Sequence, residues 1–247
     1  MPDTRFSSTA MVTMPKKLAT TGLMNGHIVR KAMQAYLNEN VFMGMVLSCV
    51  EVFKKECFGL LLGYRTPEKY IVEHAIPYQT VRRGHNWAEL SHDKWKVIQE
   101  ILKNFPKLDV LGDFHSHTMY RDIKAQVSLS RDDIEYMDPQ DLQIVIAVNE
   151  KKRTRDWSLN SDRTISGSID RFYFKIAAYY FDHPSVKDFH PLSSIAALGG
   201  GASGGQAGAG ARQNGNGGRP GRPRMADILC PFVMGINHNC GRTSVLR

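Results

Sequence analysis

The order of hydrophobic patterns along the chain predicts an α/β fold, in which helices flank a single mixed sheet and a flexible glycine-rich tail follows. Segments with helical spacing alternate with short apolar runs of strand length, as in a sheet covered by helices. Glycine is concentrated between Gly199 and Pro223, and a segment of this composition does not contribute to a packed core. We therefore predict a mobile N-terminus (1–22), one domain (23–198), a Gly/Arg-rich linker (199–224) and a short C-terminal segment (225–247).

The first third of the domain is predicted to be mostly helical before the sheet begins. Apolar residues recur at helical spacing from Ile28 to Leu37, and Met43 to Lys55 continues a largely apolar helical pattern. Phe58 to Tyr64 is a short apolar run, and Tyr70 to Pro77 alternates like a strand. The turn residues Thr66-Pro67-Glu68 between these two runs predict a β-hairpin.

Helices and strands alternate in the second part of the domain. Ser91 is a suitable N-cap for a helix, and Leu108 to His117 reads as the strand that follows that helix. Ser130 to Met137 is predicted to be a helix capped by its first residue, and Leu142 to Val148 a fully buried strand of bulky aliphatic residues. Ser166 to Phe181 adds further strands.

Composition and cysteine usage indicate the class of protein. Hydrophobic residues make up 42% of the chain and charged residues 23%, which is ordinary for a soluble globular domain. The longest apolar run, Val41 to Val50, is about half the ~20 residues that a membrane-spanning helix needs. Met1 to Lys17 lacks the apolar segment of a signal peptide, and the four cysteines show no disulfide framework. We therefore expect a cytoplasmic protein without a membrane span.

Much of the net charge of +8 lies in the tail. Residues 199–247 include six arginines and one acidic residue, Asp227. A basic glycine-rich segment can contact nucleic-acid phosphates, but no aromatic residue is interleaved with the linker arginines to stack on bases. The sequence thus favours a solvated tether over nucleic-acid binding.

The tripeptide His115-Ser116-His117 ends a predicted strand. Side chains two residues apart on a strand lie on the same face, so His115 and His117 can reach one metal ion while Ser116 points away. Alone, a His-x-His pair is a weak signal, because such pairs also occur as surface or core histidines. A third ligand is needed to decide between these alternatives.

A carboxylate suited to that position follows in the next predicted helix. With Ser130 as N-cap, Asp133 stands at the third helical position, where exposed backbone N–H groups favour a negative charge. Two histidines, one carboxylate and an open fourth position make up a catalytic zinc site. The alternative is that Ser130 and Asp133 only cap the helix.

Glu56 directly precedes the apolar run that starts at Cys57. A carboxylate at the edge of a buried strand, and not itself a ligand, can take a proton from a metal-activated water and pass it to a leaving amine. The alternative is an exposed glutamate at the end of a helix, since two lysines precede it.

Together these segments resemble the JAMM (MPN-plus) zinc metalloprotease family, in its prokaryotic type. The resemblance spans about Met24 to Asn149 and is carried by three motifs: Glu56-Cys57-Phe58-Gly59-Leu60-Leu61-Leu62-Gly63, His115-Ser116-His117 and Ser130-Arg131-Asp132-Asp133. It implies a JAMM/MPN-like sandwich, built on a mixed sheet with flanking helices.

The resemblance also implies a role for five residues. His115, His117 and Asp133 match the Zn²⁺ ligands of the family. Glu56 matches its general acid/base, and Ser130 matches the residue that helps to stabilise the oxyanion. The implied reaction is hydrolysis of an amide or isopeptide bond at the C-terminus of ubiquitin, a ubiquitin-like protein or a sulfur-carrier protein. The alternative is a catalytically silent MPN-type scaffold or interaction protein.

The connection between the second histidine and the serine departs from the family pattern. Twelve residues, Thr118 to Leu129, lie there, whereas seven are usual in the family. This longer loop would reshape the substrate groove, or it would turn Asp132 rather than Asp133 toward the metal. Thr118 itself replaces the usual proline.

The residue two positions before the first histidine also departs from the pattern. The family usually has a bulky aromatic residue there, and this chain has Asp113. Asp113 shares a strand face with both histidines, so it is either a partner for one imidazole or an exposed aspartate at the strand edge. The sequence favours the exposed position.

Overall fold

The computed structural model describes residues 32–79, 82–83, 88–89, 91–150, 153–181 and 222–239. This part of the chain contains eleven strands and four helices. In chain order they are β1 (Gln34–Leu37), α1 (Glu39–Glu51), β2 (Phe58–Arg65), β3 (Lys69–Pro77), β4 (Arg82–Arg83), β5 (Ala88–Glu89), α2 (His92–Leu102), β6 (Asp109–Thr118), α3 (Arg131–Tyr136), β7 (Leu142–Glu150), β8 (Ser158–Leu159), β9 (Ile165–Ile169), β10 (Phe172–Phe181), β11 (Pro223–Leu229) and α4 (Pro231–Asn239).

Seven of these strands form a closed ring. Their hydrogen-bonded order is β11-β1-β3-β2-β6-β7-β10, and β10 pairs with β11 to close the ring. β1 runs parallel to β3 and β11, and β6 runs parallel to β7, whereas the other pairs in the ring are antiparallel. β9 pairs with the first half of β10, and β8 pairs with β9. β4 and β5 form a separate pair.

The predicted fold class is wrong. The structure is mostly strand, a closed seven-stranded β-barrel with few helices, and not a mixed-sheet JAMM/MPN-like sandwich with flanking helices. Two segments account for the difference. The stretch up to Leu37, predicted as helix, contains β1, which pairs with β3 and β11. β11 in turn joins β1 to β10, because Gln34 pairs with Asp227 and Ala178 pairs with Ala226.

Most of the local elements are confirmed. The two predicted strands around the Thr66 turn form the antiparallel pair β2–β3. The backbone of Ser91 occupies the N-cap position of α2, and Ser130 occupies that of α3. β6 and β7 cover the two strands predicted on either side of α3.

Two glycines of β2 allow its neighbours to approach closely. A Cβ atom at Gly59 would collide with the Phe114 ring on β6 and with the Ile76 carbonyl on β3. A Cβ atom at Gly63 would collide with the Ile71 carbonyl, at the point where the register between β2 and β3 shifts. The glycines of the first motif therefore hold β2 tightly between β3 and β6.

The main core is built from all seven ring strands and α1. Phe114, Ile144 and Ile176 are fully buried in it, and Phe42 and Met45 of α1 pack against the same cluster. Such alternate residues of each strand fill the interior of a barrel.

Two smaller apolar clusters involve the opposite strand face. One joins Phe58 and Leu60 of β2 to Trp95 of α2. The other joins Val127, from the loop after β6, to Ala147 of β7 and to β10. His115 and His117 of β6 lie between these clusters, because His115 pairs with Phe58 on one side and His117 pairs with Ala147 on the other.

The predicted domain boundaries fall mostly outside the described residues. The positions at 22 and 198 are not among those described, and the predicted boundary at 224 falls within β11. None of the helices in the described part of the chain is long and apolar enough to cross a bilayer.

Candidate metal centre

β6 presents both histidines on one face, as the strand period requires. His115 is buried, and His117 is partly exposed beyond it. Ser116 points to the opposite face, where its hydroxyl accepts the N–H of Cys57 at 2.9 Å. The N–H of Ser116 also donates to the carbonyl of Cys57 at 3.1 Å. Ser116 therefore links β6 to Cys57, the residue immediately before β2.

Ser130 and Asp133 form a capping box at the start of α3. The Ser130 hydroxyl accepts the Asp133 N–H at 3.0 Å, and Asp133 Oδ2 accepts the Ser130 N–H at 2.6 Å. The same carboxylate lies beside both histidines. The capping alternative and the ligand alternative are thus compatible, because the cap fixes the orientation of the group that faces the histidines. Asp132 is exposed and is not part of the cluster.

His115, His117 and Asp133 form a group that could hold a metal ion, since one donor atom from each lies within 4.8 Å of the others. The two Nε2 atoms are 3.2 Å apart. His115 Nε2 lies 3.5 Å from Asp133 Oδ1, and His117 Nε2 lies 3.8 Å from Asp133 Oδ2. Ligands at 2.0–2.1 Å from a tetrahedral zinc ion are separated by about 3.3–3.4 Å, so these spacings fit one ion.

The orientation of the imidazole rings also fits a cation. His117 Nδ1 lies 2.7 Å from the carbonyl oxygen of Gln126, so this nitrogen carries the proton and Nε2 is left as an acceptor. His115 Nδ1 lies 3.7 Å from Asp113 Oδ1. The two Nε2 atoms are 3.2 Å apart and share one proton in the metal-free protein, and a bound cation would take the place of that proton.

The charges within the cluster shift the pKa of each group. Burial opposes the charged form of His115, but Asp113, Asp133 and Glu56 outweigh it and raise the pKa of His115 to about 9. Burial and the neighbouring His115 lower the pKa of His117. Burial by itself would raise the pKa of Asp133. His115 and the hydrogen bonds from Ser130 outweigh burial and hold the pKa of that carboxyl below its usual value. The cluster therefore presents an ionised carboxylate and, on His117, a neutral imidazole.

Glu56 lies on the histidine side of the strand. Phe58 pairs with His115, and the antiparallel ladder continued by two residues brings Glu56 opposite His117. Burial raises the pKa of Glu56 to about 7, with His115 lowering it and Asp133 raising it. Glu56 is partly buried, so the alternative of a fully exposed helix-end glutamate is wrong. A carboxyl group with a pKa near neutrality both accepts and donates a proton at pH 7.

The enlarged loop after β6 has an exposed tip and an anchored second half. Tyr120 and Ile123 pair across the tip and are both exposed. Ala125 exchanges two hydrogen bonds with the side chain of Asn149, at 2.8 and 3.2 Å, and the Val127 carbonyl accepts the Tyr179 hydroxyl at 3.0 Å. These anchors fix the intervening residue, whose carbonyl orients His117.

Two groups at the site had no clear sequence signal. The Gln126 carbonyl is a backbone atom, and the spacing of side chains does not indicate it. Gln143 lies next to Asp113 across β6 and β7, and its Nε2 donates to Asp113 Oδ1 at 3.5 Å. Asp113 itself is only 6% exposed, so the prediction of an exposed strand-edge aspartate is wrong.

Comparisons with known proteins add little to this description. No protein-family model matches the chain, and no curated protein matches it. Among solved structures, the chain is similar to the solution structure of protein DSY2949 from Desulfitobacterium hafniense. That match has 20% sequence identity and a TM-score of 0.38, and it covers 46% of this chain and 74% of the other. The account of the site accordingly depends on its own residues.

Proposed function

We propose that the chain is a zinc-dependent hydrolase of the JAMM (MPN-plus) type. It cleaves an amide or isopeptide bond at the C-terminus of ubiquitin, a ubiquitin-like protein or a sulfur-carrier protein. The observation that carries the proposal is the grouping of three zinc-type donors, His115, His117 and Asp133, with a separate carboxyl group on the same side of the barrel wall. Metal sites that serve only structure normally have all positions filled by protein ligands, whereas hydrolytic sites keep one open.

His115, His117 and Asp133 would hold the zinc ion, which would supply a Lewis acid for the scissile carbonyl and for a water molecule. Glu56 would take a proton from that water as the water oxygen adds to the carbonyl carbon. It would give the proton to the amine nitrogen as the C–N bond breaks. These two transfers need a carboxyl group that is not tied up as a ligand.

Ser130 is suited to stabilise the oxyanion. Its oxygen accepts the Asp133 N–H, which leaves the hydroxyl hydrogen available to donate. Ser130 is exposed, so a substrate carbonyl can reach it. A donor held in place before the reaction stabilises the developing negative charge most effectively.

The substrate class comes from the motif resemblance, because the mechanism alone fits many amides. We place the protein in the cytoplasm, because the spacing of the four cysteines shows no extracellular disulfide framework.

The proposal is tested with the full-length chain loaded with zinc. The substrates are ubiquitin and a sulfur-carrier protein, each carrying a fluorogenic amine on its C-terminal carboxyl, together with an isopeptide-linked ubiquitin dimer. We expect cleavage of at least one of them, its loss with a chelator and its return with zinc. Asp132→Ala is the matched control and retains activity. A zinc-loaded chain that leaves every substrate intact would favour the silent scaffold.

A further inference from the structure

We propose that Asp113 is a positioning residue that selects the tautomer and orientation of His115 for metal binding. This inference rests on the proposed zinc site and adds to it a residue that the family pattern does not supply. Asp113 Oδ1 lies 3.7 Å from His115 Nδ1, the ring nitrogen on the side away from the metal cluster. Both residues are buried, with 6% and 5% of their surface exposed.

The burial of Asp113 calls for a functional explanation. On β2 its cross-strand partner is Leu60, a member of the apolar cluster that also contains Trp95. A carboxylate in such surroundings is costly unless a cation or hydrogen-bond donors compensate for it. Polar groups near it include His115 Nδ1, Gln143 Nε2 and the buried Tyr78 phenol, whose pKa is raised by burial and by Asp113. An apolar side chain would fill this position without the desolvation cost of a buried carboxylate if the position served only packing.

The geometry indicates what the carboxylate does. A separation of 3.7 Å is too long for a hydrogen bond but is within ion-pair range, so the action is electrostatic. A negative charge on this side favours the tautomer with the proton on Nδ1. Nε2 is then left with its lone pair toward His117 and Asp133, as a metal requires.

Gln143 holds the carboxylate in place. It lies beside Asp113 in the parallel ladder of β6 and β7, and its Nε2 donates to Asp113 Oδ1 at 3.5 Å. The two histidines are therefore oriented by different means. His117 depends on the backbone carbonyl of Gln126, whereas His115 depends on a side chain that can be replaced.

The experiment compares zinc affinity in the full-length parent, Asp113→Ala and Asp113→Asn, by competition with a chromophoric chelator. Asp109→Asn, at the start of the same strand, is the matched control. Loss of a carboxylate that orients a zinc-bound histidine weakens metal binding about 10- to 100-fold. We expect that loss in Asp113→Ala, a smaller loss in Asp113→Asn because the amide oxygen keeps a partial negative charge beside Nδ1, and no change in the control.

A second readout separates positioning from packing. The tautomer of His115 in each metal-free protein is read from the ¹⁵N shifts of its ring at about pH 10, where the neutral ring predominates, and thermal unfolding at the same pH reports stability. At that pH His115 is neutral and no longer compensates the buried carboxylate, so we expect Asp113→Asn to unfold at or above the parent temperature. Its His115 shifts should move away from those of a ring protonated on Nδ1.

Three outcomes are distinguishable. A parent that binds zinc, with Asp113→Ala and Asp113→Asn equal to it in affinity, would overturn the role of Asp113 alone. Weaker binding accompanied by unchanged His115 shifts and a lower unfolding temperature in Asp113→Asn would assign the residue to packing and also overturn it. A parent that binds no zinc would remove the proposed function together with this inference.

Discussion

The Ser116 hydroxyl accepts the backbone N–H of Cys57 at 2.9 Å, and this bond connects the two halves of the site. Cys57 follows Glu56 directly, and Ser116 lies between the two histidines. The bond therefore fixes the segment that carries the proposed base against the strand that carries two metal ligands. The serine of the tripeptide acts on the backbone, on the face opposite to the metal cluster.

Replacing Ser116 by alanine should loosen Glu56 without removing a ligand. The Cys57 N–H is buried and loses its acceptor, which costs about 1–3 kcal/mol of unfolding free energy. A displaced base reduces kcat by about 10- to 100-fold, while zinc content stays at the parent level. Chemical denaturation, steady-state kinetics and metal analysis measure these three quantities. Unchanged kcat and unchanged stability would contradict the linking role of this bond.

Glu56→Gln should separate metal binding from catalysis. The amide keeps the size of the side chain but neither accepts nor delivers a proton, so we expect zinc to be retained and kcat/KM to fall by about 10²- to 10⁴-fold. Glu51→Gln is the matched control, since Glu51 is an exposed residue at the end of α1. A Glu56→Gln protein with full activity would show that another group moves the proton.

The stability of the metal-free protein should fall as the pH rises from 7 to 9. Burial opposes it, but the neighbouring carboxylates raise the pKa of His115 to about 9, above its unfolded value of about 6.5. The protonated ring therefore stabilises the fold fully below about pH 6.5, and this contribution is lost as the pH rises through 9. The raised pKa of Glu56, about 7, acts mainly below this window.

Zinc replaces that proton, so the zinc-loaded protein should lose less stability over the same range. Thermal unfolding with and without a chelator at several pH values between 7 and 9 measures the difference. His115→Ala should abolish the slope of the metal-free protein. Parallel curves for the metal-free and zinc-loaded parent would contradict the proposed linkage.

Removing residues 223–247 should destroy cooperative folding, because β11 joins β1 to β10 and closes the barrel. Ala226 and Ile228 of β11 are part of the main core, and their loss exposes its other members to water. A matched deletion of ten residues, 201–210, from the glycine-rich segment should leave the unfolding temperature within a few degrees of the parent. A truncated protein that unfolds cooperatively at the parent temperature would contradict this account.

The sequence predicted the grouping of His115, His117 and Asp133 better than the fold, because the two depend on different distances along the chain. The shared face of His115 and His117 follows from a period of two within one strand. The position of Asp133 follows from a cap that spans four residues, and the structure has that cap. Contacts between residues so close in sequence depend on local spacing, so a sequence pattern can predict them.

The closure of the barrel depends on pairing between distant segments. β1 is four residues long, and over so short a stretch a strand and one turn of an apolar helix have similar patterns. One of its two partners is β11, which lies far downstream in the sequence, near the C-terminal end of the described residues. The sequence also did not indicate the burial of Asp113, since that depends on the apolar cluster formed by β2 and α2.

The zinc content of the purified full-length chain tests the central claim most directly. The parent is measured beside Asp133→Ala, with Asp132→Ala as the matched control for the neighbouring carboxylate. We predict about one zinc per chain in the parent and in Asp132→Ala, and loss of the metal in Asp133→Ala. A parent without zinc, or zinc that is retained in Asp133→Ala and lost in Asp132→Ala, would contradict the assignment of His115, His117 and Asp133 as the metal ligands.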